Sequence, residues 1–144
     1  LSRSYPEAAR PPITRGQELD DKRFLEVHRG VLRDLASTGN AVILGRGGVI
    51  ELRDWPGALH VYTVAPLEQR AQRIMKRLGL DRAAAEKYTQ ETEAARLAYF
   101  RKYFRVDASD PLLYHLVLNT SHLSVEFLAQ LVVEASRSLQ TRTR

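Results

Sequence analysis

The sequence predicts an α/β fold in which helices flank a parallel sheet. Three short apolar runs, rich in β-branched residues, lie at 41–44, 59–64 and 115–118. Stretches with helical periodicity separate these runs, as the crossover connections of parallel strands require. At 144 residues and 44% hydrophobic, the chain has the length and composition of one domain. We therefore expect a doubly wound α/β domain.

The N-terminal part is predicted to be a linker followed by a helix. Residues 1–18 hold three prolines and few apolar side chains. We therefore expect a linker or disordered arm there, and one domain over 19–144. Apolar residues at a spacing of 3.6 predict a helix that begins at Asp20 or Asp21 and ends at Gly39.

The later elements follow from alternating strand, turn and helix signals. They are a strand over 41–44, one helical turn over 49–52, a turn over 54–57, a strand over 59–64, a helix from Pro66 to a glycine stop at Gly79, a helix capped by Asp81 that reaches about Phe104, a strand over 115–118, and a helix from Ser124 to Leu139 followed by a frayed basic tail. The carboxyl ends of the three strands meet at one edge of such a sheet, where ligands of this fold class bind.

Composition excludes several classes of site. There is no cysteine, which removes disulfides, thiolate nucleophiles and Cys-type zinc sites. The four histidines show no metal-binding spacing. No stretch has the length of a membrane span, and the first residues do not resemble a signal peptide, so we expect a soluble, cytoplasmic protein.

Positive charge is carried mainly by arginine. The net charge is +5, with 18 arginines and 4 lysines. Arginine binds phosphate and carboxylate through two parallel hydrogen bonds, which favours an anionic ligand. An arginine-rich genome or a thermophilic surface explains the composition equally well.

The stretch "GNAVILGRGGVI", residues 39–50, places glycines around Arg46 directly after a predicted strand. It is not a P-loop, because no glycine in the chain is followed by lysine. It also lacks the third glycine of a dinucleotide-binding fingerprint. Two interpretations stay open: Arg46 clamps a phosphate that approaches the glycine backbone, or the segment is a turn with a solvent-facing arginine.

Two sets of arginines recur at helical spacing and are candidates for binding a polyphosphate. They are Arg70, Arg73 and Arg77 on one predicted helix, and Arg96, Arg101 and Arg105 on the next. The alternative is that ordinary ion pairs with nearby glutamates absorb some of them. The candidate partners are Glu68, Glu91 and Glu93. The interleaved aromatic residues of "YFRKYF" are more typical of core packing than of base stacking.

The segments "GNAVILGRGGVIELRDWPGALHVYTVAPLEQRAQRI" and "LVLNTSHLSVEFLAQLV" resemble bacterial cytidylate kinases, and most closely the cytidylate-kinase-like branch. The resemblance covers about residues 20–138. It implies a P-loop kinase-like fold of the Rossmann-type, three-layer kind and an ATP-dependent nucleoside monophosphate kinase. The reaction implied is ATP + (d)CMP to ADP + (d)CDP, with ATP and Mg²⁺ as cofactors.

The resemblance also implies roles for individual residues. Arg46, with Gly45 and Gly47 beside it, matches the Gly-Arg-Asp motif that binds the acceptor monophosphate; Gly47 stands in place of the aspartate used on the cytidine side. Phosphoryl-transfer roles fall to Arg73, Arg101 and Arg105, of which Arg101 and Arg105 lie near the lid arginines of the family. The ATP side falls to Arg77, Thr120 and Ser121. No metal ligand is assigned.

In the family, a central strand and its P-loop lie between the strands that correspond to 41–44 and 59–64, and no part of this sequence matches them. We expect the two flanking strands to close up, a neighbouring chain to donate a strand, or the chain to be part of a longer protein, and we favour the last. In each case the chain is not expected to transfer phosphate alone.

Two further functions are compatible with the sequence. The chain is alternatively a non-catalytic module that senses nucleotides or forms homo-oligomers through exposed strand edges. Nucleic-acid binding is less favoured because no RNA-binding motif is present.

Overall fold

The computed structural model describes residues 15–142, which form five α-helices around a two-stranded parallel sheet. The elements are α1 (Arg15–Thr38), α2 (Gly48–Glu51), β1 (Val61–Val64), α3 (Leu67–Leu78), α4 (Arg82–Phe104), a 3₁₀ turn (Pro111–Leu113), β2 (Leu116–Asn119) and α5 (Val125–Arg142). The predicted α/β class with a parallel sheet is confirmed at this level, in a helix-rich form.

The sheet joins the last two predicted strands. Val61 lies opposite Leu116, and Val64 lies opposite Asn119. The N–H of Thr120 donates to the carbonyl of Val64 at 2.8 Å, so the hydrogen bonds run to the carboxyl ends of both strands. Helices α3 and α4 make the crossover between them, as a parallel pair requires.

The predicted strand at 41–44 is wrong. The segment follows α1 without ladder hydrogen bonds, and the side chains of Val42 and Leu44 are 91% and 86% exposed. An apolar, β-branched run becomes a strand only where another strand pairs with it, and within residues 15–142 none does. Its sequence has the composition of a buried strand, but its surroundings do not bury it.

The helices of the crossover agree closely with the prediction because their ends are fixed by local chemistry. Pro66 precedes the first turn of α3, and Gly79 ends it with φ +68°. The Asp81 carboxylate accepts a hydrogen bond from the N–H of Ala84 at 2.8 Å and caps α4. The predicted helical turn at 49–52 corresponds to α2.

The two terminal helices extend beyond the prediction. Helix α1 begins at Arg15, within the segment predicted to be a linker, and most of that segment, residues 1–14, lies outside the described residues. It ends as predicted, with Gly39 and Asn40 both at positive φ. Helix α5 continues to Arg142, past the predicted end at Leu139.

The core is small and built around α3 and α4, which make the most extensive helix contact described. Small buried residues on the facing sides, Ala71 and Ala85, let the two helices approach closely. The apolar faces of α1 and α5 are largely exposed. Their exposed side chains are Phe24, Val27, Val31 and Leu35 on α1, and Val125, Phe127, Leu131 and Val133 on α5. The stripe that predicted α1 is therefore mostly uncovered, because Leu32 is the only buried residue among residues 20–38 of that helix.

Candidate functional site

The glycine-rich loop forms a left-handed turn that presents an arginine. Gly45, Arg46 and Gly47 have φ of +67°, +57° and +70°. The N–H of Gly48 donates to the carbonyl of Gly45 at 3.1 Å, and the N–H of Glu51 donates to the carbonyl of Gly47 at 3.0 Å, where α2 begins. A left-handed conformation costs a residue with a side chain about 1–2 kcal/mol, which glycine avoids. The middle position nevertheless holds an arginine.

Arg46 is exposed and has no hydrogen bond or ion pair to any residue that the structure describes. Its guanidinium is therefore available to a ligand. Strained, non-glycine backbone of this kind is concentrated at binding and catalytic sites.

The end of α4 packs against this loop. Gly47 is buried, and a β-carbon placed on it would lie 2.4 Å from Cζ of Phe104. Arg105 follows Phe104 with φ +56°, and its N–H donates to the carbonyl of Arg101 at 3.2 Å, which ends the helix. The contact between Gly47 and Phe104 thus brings the chain segments of Arg46 and Arg105 together. Arg105 is exposed and has no ion pair within residues 15–142.

The end of α4 is also held on α1. The Lys102 ammonium lies 2.7 Å from the Asp21 carboxylate, and the Tyr103 hydroxyl donates to the same carboxylate at 3.0 Å. The hydrogen bond to Asp21 raises the pKa of Lys102. Arg101 is exposed on the same turn and lies close enough to Asp107 to help lower the pKa of that carboxyl, which falls mainly through hydrogen bonds from Ser109.

Arg73 connects α3 to the end of the sheet. Its guanidinium donates to the Thr120 hydroxyl at 2.9 Å and to the Thr120 carbonyl at 2.8 Å. Thr120 directly follows β2, and the N–H and hydroxyl of Ser121 donate to the side-chain oxygen of Asn119. The structure therefore brings two of the predicted site residues, Arg73 and Thr120, into direct contact. Arg77 lies exposed in the last turn of α3.

The other arginines of these helices form ion pairs, as the alternative interpretation expected for some of them. Arg70 and Arg96 lie 3.6 Å and 2.9 Å from the Glu93 carboxylate. Arg82 pairs with Glu86 at 2.9 Å and with Glu68 at 3.7 Å. Of these ion pairs, Arg70–Glu93 and Arg82–Glu68 join α3 to α4.

Arg96 has a second role that the sequence analysis missed. Its guanidinium donates to the Tyr62 hydroxyl at 3.0 Å and lies 5.1 Å from the centroid of the Tyr62 ring. Tyr62 stacks in turn on Tyr114 at 4.8 Å. A cation over an aromatic face attaches α4 to β1. Arg96 and Tyr62 are 34 residues apart, and no local sequence pattern indicated this contact.

Two histidines pack together just before the amino ends of β1 and β2. His60 is buried, its Nε2–H faces the Leu52 carbonyl at 3.1 Å, and its ring stacks on His115 at 5.1 Å. The backbone N–H of His60 donates to Nδ1 of His115 at 2.9 Å. Burial lowers the pKa of His60. These contacts give the pair a structural role.

The described residues do not fit magnesium-bound ATP by themselves. A P-loop holds the phosphates through its lysine and the metal through its hydroxyl, and the 144 residues contain no glycine followed by lysine. Residues 15–142 also hold no group of three or more histidines or carboxylates placed to bind a metal ion. A cleft of about 140 Å³ between α3 and α4 is lined by residues such as Glu68, Met75 and Arg82, and by none of the predicted site residues.

Fold and sequence place this protein among α/β proteins with a parallel sheet. Within that class it belongs to the cytidylate kinase-like family, whose model matches residues 2–122. No helix in the described range is long and apolar enough to cross a membrane.

Similar proteins agree with this assignment. The chain is 38% identical over 127 residues to a cytidylate kinase of Aeropyrum pernix, covering 87% of this chain and 72% of that one. It is 35% identical over 100 residues to a cytidylate kinase of Methanopyrus kandleri, covering 64% of this chain and 52% of that one. The chain thus spans between half and three quarters of the length of these relatives.

A solved structure shares the fold. The crystal structure of an uncharacterized protein from Eubacterium ventriosum matches with a TM-score of 0.72 at 19% identity, covering 82% of this chain and 65% of that one. At this identity the likeness concerns the fold alone.

Proposed function

We propose that this chain supplies the acceptor and lid side of a nucleoside monophosphate kinase that converts ATP and a (d)CMP-like monophosphate to ADP and the diphosphate. The observation that carries the proposal is Arg46. It is an exposed arginine without an ion pair in the described range, held in a left-handed turn between two glycines. A guanidinium in that position matches a phosphate through two parallel hydrogen bonds, while Gly45 and Gly47 let the ligand approach the backbone.

The remaining arginines are assigned by their position. Arg101 and Arg105, at the end of α4, act as lid residues that stabilise charge on the transferred phosphoryl group. Arg73 acts from α3, and Arg77, Thr120 and Ser121 lie on the ATP side. Arg73 uses two of its five N–H groups on Thr120, which leaves three for an anion.

The 144 residues by themselves are not expected to transfer phosphate from ATP. They contain no P-loop, so transfer from ATP requires a segment that supplies one. In the described range β1 has a strand partner on one side only, and the apolar segment 41–44 is unpaired. We propose that a strand enters there and carries the ATP-binding loop.

The test is ATP-dependent phosphorylation of a panel of nucleoside monophosphates by the full-length protein. Arg46→Ala is expected to lower kcat/KM by about 10-fold or more, since a hydrogen bond to a charged group contributes about 1.5–3 kcal/mol. Arg53→Ala, which removes another exposed arginine close in sequence, is the control and is expected to stay within twofold. No phosphorylation of any monophosphate would contradict the proposal.

A second candidate function rests on the exposed segment. The side chains of Val42 and Leu44 are exposed, and an unpaired apolar run of this kind can pair with another chain. A non-catalytic module that senses nucleotides or forms homo-oligomers fits this observation. Calorimetry with CMP and ATP, together with sedimentation, tests for assembly, which no nucleotide binding with a stable dimer would favour. Where CMP binds, phosphorylation of CMP by the full-length protein favours the kinase, and binding without phosphorylation favours a nucleotide-sensing module.

A further inference from the structure

The contact between Gly47 and Phe104 joins two segments that are far apart in the chain. The edge of the Phe104 ring occupies the space where a side chain at position 47 would begin, 2.4 Å from the β-carbon position. The flanking residues, Arg46 and Arg105, both have left-handed backbone, at φ +57° and +56°. We infer that Phe104 is a positioning residue: its ring, in contact with Gly47, fixes Arg105 beside Arg46 so that both guanidiniums bind the acceptor phosphate, in addition to the lid role proposed above for Arg105. This inference rests on the proposed function.

The Phe104 ring also packs against two other aromatic rings of α4. Its centroid lies 5.6 Å from that of Phe100 and 5.8 Å from that of Tyr99, whose ring meets it edge to face. Phe100 is 4% exposed, so this packing belongs to the core. Because the Phe104 ring packs against Gly47 and against these two rings, its position is fixed, and so is the backbone of the next residue, Arg105.

The backbone of Arg105 is fixed from a second direction. Lys102 and Tyr103 attach the last turn of α4 to Asp21 of α1. The helix end therefore lies between α1 on one side and the Gly45–Gly47 turn on the other. Arg105 leaves the helix at that point, with its N–H bonded to the carbonyl of Arg101.

Four basic residues of α4 form ion pairs, whereas Arg101 and Arg105 at the end of the helix form none within residues 15–142. Arg82, Lys87, Arg96 and Lys102 each lie within 4 Å of a carboxylate. Arg105 has no such partner within residues 15–142, and neither has Arg46. Two unpaired guanidiniums on adjoining segments repel each other. A doubly charged phosphate bound between them attracts both and offsets this repulsion.

The test is a steady-state comparison of the full-length protein with Phe104→Ala. The inference predicts a KM for CMP at least 10-fold higher, with the KM for ATP within twofold. Phe104→Leu, which keeps an apolar branch on Gly47, is expected to recover most of the loss. Phe127→Ala removes a half-exposed ring from α5 and is the matched control, with both KM values unchanged. An unchanged KM for CMP in Phe104→Ala, with activity intact, overturns the inference and leaves the proposed function standing.

A double-mutant cycle covers the case in which Phe104→Ala does not fold. Arg46→Ala and Arg105→Ala act on one phosphate under this inference, so the double variant should raise the KM for CMP by less than the product of the single effects. A multiplicative effect overturns the inference. Absence of activity in the unmodified protein overturns the proposed function and this inference with it.

Discussion

Position 47 has two features that favour glycine over every other amino acid: its backbone angle and its contact with Phe104. Its φ of +70° suits glycine, and the Phe104 ring leaves no room for a β-carbon. The neighbouring Gly45 shares the first feature only, since nothing lies within 4 Å of its β-carbon position. Comparing substitutions at the two positions therefore separates the energetic cost of left-handed backbone from the cost of steric overlap with Phe104.

Substitution of these glycines gives the first prediction. Gly45→Ala is expected to lower the free energy of unfolding by about 1–2 kcal/mol through its left-handed backbone alone. Gly47→Ala is expected to cost about 1–3 kcal/mol more, because the ring must move. Urea unfolding measures both. Equal losses in the two variants would contradict the Phe104 contact.

His60 gives a pH dependence of stability. Burial lowers its pKa in the folded protein below the usual value of about 6.5, with the neighbouring His115 adding to the effect. Between that lowered pKa and about 6.5, the unfolded chain binds more protons than the folded one, so stability falls as pH falls through this window. Above it, the contribution is constant.

The second prediction isolates this residue. His60→Gln keeps a donor for the Leu52 carbonyl but does not titrate. The free energy of unfolding between pH 5 and 7 is expected to change less steeply in the variant than in the unmodified protein. Parallel curves would show that His60 is not the group responsible.

The sequence indicated some site residues and missed their contacts for a definite reason. Arg46 was recognisable because a single arginine stands between glycines. The seat of Phe104 on Gly47 and the bond from Arg96 to Tyr62 join residues far apart in the chain, and no local pattern encodes them. The assignment of phosphate-binding roles to Arg73, Arg77, Arg101 and Arg105 stays a prediction.

At the level of elements, helices with local end signals were predictable and the first strand was not. Pro66, Gly79 and Asp81 fix the boundaries of α3 and α4 through their own dihedral angles and hydrogen bonds. A strand instead depends on a partner that lies elsewhere in the fold. The run 41–44 has strand composition without that partner in the described range.

The exposure of this segment gives the third prediction. In the 144-residue chain by itself, Val42→Lys is expected to change the free energy of unfolding by less than about 0.5 kcal/mol, because the side chain is 91% exposed. Leu52→Ala, at a position that is 6% exposed, is the comparison and is expected to cost about 2–5 kcal/mol. A loss in Val42→Lys as large as that in Leu52→Ala would show that the segment is buried in solution.

The whole molecule combines a compact helical crossover with uncovered apolar surface. The α3 and α4 pair holds the sheet, while the exposed faces of α1, α5 and segment 41–44 lack cover in the described residues. The family relationship accounts for the fold, and the chain spans 72% and 52% of two cytidylate kinases that resemble it. Uncovered apolar surface on this scale is typical of a surface that meets another segment or chain.

The acceptor site that we propose is confined to one place in the fold. It lies where the Gly45–Gly47 turn meets the end of α4. A titration that reports on individual residues therefore tests it directly. CMP is the probe, and Gly57 and Gly79, in turns elsewhere, are internal controls.

The measurement is the change in backbone amide chemical shifts as CMP is added to the protein. We predict saturable shifts at residues 45–48 and at Arg105, no shifts at Gly57 and Gly79, and loss of the response in Arg46→Ala. Saturable binding that leaves residues 45–48 unmoved, or no binding at all, would contradict the acceptor site proposed for this protein.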